Sequence, residues 1–168
     1  MNDTLHPDAS YFHLNLASPE FSLRTHSKRV TFKDDLDAQL KEQLGKAATY
    51  PASHKMVISC RAFGQFEKSW MIVIDKSRDA NVGDVLHSIY KSMHKLASQE
   101  EWKALSERRS RRVSEACSDR NKRRGEKSSP YLTRVDFLDG RHYFGGLERD
   151  RERGGYYFKL IVKEAPAR

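Results

Sequence analysis

The sequence predicts an α+β domain, with an antiparallel sheet of about five to six strands and two main helices packed on one face. Three observations carry this. Runs rich in β-branched and aromatic residues fall into two groups, one up to Ile74 and one after Thr133. Between them the apolar spacing changes from two to three and four, the period of amphipathic helices. Within each strand group the connections have hairpin length, and each apolar face needs a covering layer. The 168 residues read as one domain, 1–168, with a basic helix and loop at 108–130 and short flexible termini. A chain of this size buries roughly 70% of its unfolded surface, enough for a core without metal or disulfide support.

Tyr11 to Leu16 alternates, so Phe12, Leu14 and Leu16 share one face of a half-buried strand and Tyr11, His13 and Asn15 the other. Between Phe21 and Leu44 charged residues dominate; Leu36, Leu40 and Leu44 keep helical spacing, which suits a short helix or an irregular layer. Met56 to Phe63 and Ser69 to Ile74 form the second strand pair, joined through Gly64 to Glu67. The stripe Val82, Val85, Leu86, Ile89, Tyr90, Met93, Leu96 and Ala97 then marks the first helix, with Asn81 and Asp84 at its start. Ser98 to Glu101 is a capping-box pattern opening a second helix, whose thinner stripe is Trp102, Leu105, Val113 and Ala116. Arg134 to Leu138, the turn Asp139-Gly140 and the return through Tyr143 and Phe144 to Gly145-Gly146-Leu147 predict a hairpin, followed by a closing strand from Tyr156 to Val162.

These residues resemble a fungal domain family of unknown function, widespread in mushroom-forming basidiomycetes. The similarity covers nearly the whole chain. It rests on His6-Pro7, the strand around Phe12 to Leu16, Ala48-Thr49-Tyr50-Pro51, Trp70-Met71-Ile72-Val73, the helix opening Asn81 to Leu86, the spaced Arg112 and Arg120, and above all Arg134 to Leu138 leading to Phe144-Gly145-Gly146-Leu147. Family members usually have a tryptophan in the closing strand, where this chain has Tyr157 or Phe158. The resemblance implies a fold and a cytoplasmic or nuclear setting, and no reaction.

The formal net charge of +8, with 32% charged residues, favours an acidic partner over a basic one. No secretory signal pattern opens the chain, and no run approaches the roughly 20 apolar residues of a membrane span. The sparse pair Cys60 and Cys117 reads as reduced intracellular thiols, with a disulfide between them left open.

The first candidate site is the basic arm Arg108, Arg109, Arg111, Arg112, Lys122, Arg123 and Arg124. Such a cluster would neutralise phosphates of DNA or RNA, with Trp102, Tyr131 or Tyr143 stacking on bases. The structural alternative is a solvated helix face on which Glu107, Glu115 and Asp119 dilute the field. The second candidate joins Asp136, Arg120 and Arg134: in a strand, Arg134 and Asp136 would point away from Val135 and Phe137, and Asp136 would meet an arginine such as Arg120 or Arg112. A structural ion pair is favoured there over a general base, because no second titratable group is placed beside it. His87 and His94, on the helix face away from its apolar stripe, together with His13 and His142, lack a third ligand for zinc.

No phosphate loop, nucleophile elbow, dinucleotide fingerprint or paired-cysteine motif is present, so no cofactor or metal is expected. The resulting expectation is a non-enzymatic binding module that presents an uncovered sheet face or edge to a protein partner, with self-association through that edge as an extension. Nucleic-acid binding through 108–127 is the runner-up, and an unrecognised enzyme site around Asp136 and His142 a weaker third.

Overall fold

The computed structural model describes residues 13–18, 22–24, 29–31, 38–124 and 131–164. The fold is α+β, and its sheets differ from the expected one. Strands β1 (His13–Leu14), β2 (Ser22–Arg24) and β3 (Arg29–Thr31) form a small antiparallel sheet of their own. A second sheet has four strands in the order β5-β4-β7-β6, where β4 is Lys55–Ser59, β5 Ile72–Asp75, β6 Tyr143–Arg149 and β7 Tyr157–Lys163. The pairs β4–β5 and β6–β7 are antiparallel, and β4 lies parallel to β7. The reason is connectivity: hairpins can join only near neighbours, whereas a chain that leaves β5 through helices returns alongside β4 by a crossover, which permits a parallel pair.

Helix α1 spans Ala38–Gly45 and α2 Val82–Met93. A reciprocal cap starts α2, since the Asp84 N–H donates to Asn81 Oδ1 at 2.7 Å and the Asn81 N–H to Asp84 Oδ2 at 3.2 Å. The expected second helix is two. Ser98 and Glu101 cap a short α3 (Gln99–Lys103), which ends at Ala104, and α4 runs Glu107–Arg124.

The largest departure lies at Arg134–Leu138. This segment is a 3-10 turn with Val135, Asp136, Phe137 and Leu138 all buried, so the opposed faces of a strand do not exist there. Thr133 explains it: its N–H and Oγ1 donate to Asp136 Oδ2 at 2.9 and 3.1 Å, winding the backbone into a capped turn. Asp139 (φ 52°) and Gly140 (φ 82°) do turn the chain, but into β6 from a 3-10 turn. The actual hairpin is β6–β7, which reverses through Gly154 and Gly155 at positive φ. A similar 3-10 segment, Arg61–Phe66, replaces the end of the predicted strand through Phe63.

Most of the buried apolar side chains among the described residues form one contiguous cluster. Met56, Ile58, Ile72, Ile74, Phe158 and Leu160 line one face of the sheet and meet Val85, Leu86, Ile89 and Met93 of α2. At one end Trp70 packs edge-on to Phe63 and Phe137 and stacks on Phe66 at 4.7 Å. Helix α4 packs on the 3-10 turn 134–138. The opposite sheet face is exposed at Val73, Ile161, Glu148 and Lys163.

Candidate functional site

Helix α4 determines where the polar groups gather. Arg109, Val113, Cys117 and Arg120 recur at intervals of four, four and three, so they share the face turned to the 3-10 turn. Two arginines of that face meet two aspartates three residues apart, Asp136 and Asp139.

The first meeting is dry. Arg120 donates through Nε to Asp136 Oδ1 at 2.7 Å and through Nη2 to Oδ2 at 2.9 Å, a two-pronged pairing with side chains 3% and 1% exposed. Thr133 supplies the two further donors already described. Arg120 Nη2 also donates to the carbonyl oxygen of Tyr131 at 2.9 Å and to Cys117 Sγ at 3.4 Å. Burial would lower the arginine pKa, yet the Asp136 bonds and charge outweigh it and hold the guanidinium above its ordinary value. Arg134 is not part of this group. Its guanidinium lies 4.8 Å over the Trp70 ring, near Ser92 Oγ at 3.4 Å, and burial pushes its pKa down.

The second meeting is crowded with positive charge. Arg109 Nη1, Arg112 Nη2 and Arg141 Nη2 approach the same oxygen, Asp139 Oδ2, at 2.9, 2.6 and 3.9 Å. Arg109 is satisfied elsewhere too, donating through Nη2 to the carbonyl oxygens of Ala62 and Phe137. The Arg112 and Arg141 side chains remain 46% and 43% exposed. Asp139 Oδ1 is buried and takes no hydrogen bond among the described residues.

The rest of the basic arm is different. Arg108, Arg111 and Lys122 stand on the outer side of the helix among exposed Glu107, Glu115 and Asp119. Arg111 pairs with Glu107 at 3.1 Å and Lys122 with Asp119 at 3.7 Å. The side chains of Arg123 and Arg124, and the loop after them to 130, lie outside the described residues. Of the three aromatics, Tyr131 is exposed, while Trp102 and Tyr143 are half-buried.

Cys60 and Cys117 are both free and buried. Desolvation pushes the Cys60 thiol up to about 11 and raises that of Cys117, the reverse of what an activated nucleophile needs. His94 departs from its expected exposed place: it is half-buried, its Nε2 lies 3.0 Å from the Leu16 carbonyl oxygen, and its ring packs on Tyr90. Among the described residues no group of three potential ligands could hold a metal, and no helix is long and apolar enough to cross a membrane.

Sequence reasoning missed Asp139 and the inward turn of Arg109, and it offered Arg112 to Asp136 where the structure pairs it with Asp139. The available signal was the i, i+4 and i, i+3 spacing of Arg109, Val113, Ala116 and Arg120, which places arginines at both ends of an apolar stripe. No curated protein and no solved structure matches the chain. A family model described as a family of unknown function (DUF6699) matches residues 13–155, and the chain belongs to that family.

Proposed function

We propose that this chain is a non-enzymatic interaction module whose partner is an extended segment of another protein, added at the outer edge of β5, which pairs with no further strand among the described residues. The observation that carries this is Val73. It stands in the middle of a terminal strand and is 62% exposed, while its neighbours Ile72 and Ile74 are buried. An edge strand offers unpaired backbone N–H and C=O groups, and only another extended backbone matches their spacing. Buried cysteines kept as free thiols support an intracellular setting, cytoplasmic or nuclear.

Affinity capture from extract tests the reading with two variants. Val73→Lys should lose the captured proteins by at least about tenfold, because a lysine at an edge opposes strand addition. Arg108→Glu with Arg111→Glu, on the outward face of α4, should retain them. Capture that survives Val73→Lys overturns the proposal. Recovery of DNA or RNA that only the Arg108/Arg111 pair abolishes would transfer the function to the basic helix.

A further inference from the structure

A second binding site is indicated by the arithmetic of charge around Asp139, independently of the sheet edge. Three guanidinium groups surround one carboxylate, and all three address a single oxygen of it. Arg109 uses its Nη2 donors on backbone carbonyls of the 3-10 segments. Arg112 has no acceptor besides Asp139 among the described residues, and Arg141 has only the Leu138 carbonyl oxygen at 3.3 Å. Each guanidinium carries five N–H donors, so several are unused on groups that are nearly half exposed. Glu67 is a further carboxylate near this end, felt together with Arg141 by the Cys60 thiol, and it forms no ion pair with these arginines among the described residues.

We propose that Arg112 and Arg141, braced by Asp139 and Arg109, bind a phosphomonoester carried on a protein segment. The two terminal nitrogens are already gathered about one oxygen, so no large rearrangement is needed to present convergent donors. A guanidinium pairs with two phosphate oxygens through parallel N–H bonds, and a dianion balances the surplus positive charge. A single such group fits better than a polynucleotide. The outward face of α4 alternates sign through Glu107, Arg108, Arg111, Glu115, Asp119 and Lys122, which is a poor track for successive phosphodiesters. Asp139 acts as the occupant's stand-in: it keeps the arginines assembled while the ligand is absent.

The test is a titration of the full chain with inorganic phosphate and with a phosphoserine peptide, followed by amide chemical shifts. Saturable shifts should concentrate at residues 109–112 and 138–142. Arg112→Ala and Arg141→Ala should each weaken binding by about tenfold, the loss of one or two charge-assisted hydrogen bonds. Asp139→Asn, which removes the competing charge and keeps the left-handed turn accessible, should strengthen it, whereas Arg108→Ala should leave it unchanged. Absence of saturation, equal loss in Arg108→Ala, or an unmodified serine peptide binding as well as the phosphorylated one would each overturn the proposal. An oligonucleotide binding more tightly than the phosphopeptide would overturn it as well.

Discussion

Asp136 and Asp139 sit three residues apart at one 3-10 turn, and both are met by arginines from one helix, yet their surroundings are opposite in kind. Asp136 has one arginine, two donors from Thr133, and almost no exposure. Asp139 has three arginines on one oxygen and a partly wet rim. Stoichiometry and burial, more than proximity, therefore set what an ion pair does. A one-to-one pair with its hydrogen bonds filled is closed to any ligand. A three-to-one cluster at the surface retains both charge and donors.

Removing Arg120 puts this contrast under the greatest load. Arg120→Ala leaves Asp136 charged and buried without its guanidinium, and should cost about 3–5 kcal/mol by chemical denaturation. Adding Asp136→Leu to Arg120→Met should recover part of that loss. Recovery stays incomplete because the Thr133 N–H and the Tyr131 carbonyl oxygen then lack these partners. If Arg120→Ala were as mild as a surface substitution, the dry pair would not be holding α4 to the turn.

A pH titration adds a third carboxylate to the pair. Burial alone would raise the Asp84 pKa, but the Asn81 N–H and the cations Lys76 and Arg78 outweigh it and hold it below the ordinary value. A pKa depressed in the folded state means that stability is fully present above the unfolded value of about 3.9, and is lost as pH falls through the folded one. The thermal midpoint should therefore decline below about pH 4. In Asp84→Asn the midpoint should be lower at neutral pH and the acid decline shallower. Parallel declines in the two proteins would remove Asp84 as a contributor.

The smallest effect is expected at Asp139 itself. Asp139→Asn should cost only about 0.5–1 kcal/mol, because Arg112 and Arg141 are half exposed and solvent screens their attraction. A loss matching that of Arg120→Ala would mean that the wet cluster is as structural as the dry pair.

Much of the local structure is legible in the residues. The Asn81/Asp84 and Ser98/Glu101 caps can be read from spacing alone, because a capping box is a contact between residues three apart. The same pattern at Thr133 and Asp136 is masked by the alternation of Arg134 to Leu138, which predicts a strand where a 3-10 turn forms. Alternation also carries no information about direction, so the parallel β4–β7 pair and the separate β1-β2-β3 sheet are not visible in it. The basic arm is apparent as a composition, but not as two faces with opposite roles.

Neighbours along the chain are enough to establish the α+β pattern, the apolar stripe of α2, the helix starts and the surplus of positive charge. Which aspartate is sealed, and which is left with three arginines, emerged with the packed fold. Desolvation and charge balance depend on groups brought together from distant parts of the chain, Arg109 and Arg112 from a helix and Arg141 from beyond the turn. No local pattern records how much water remains between them.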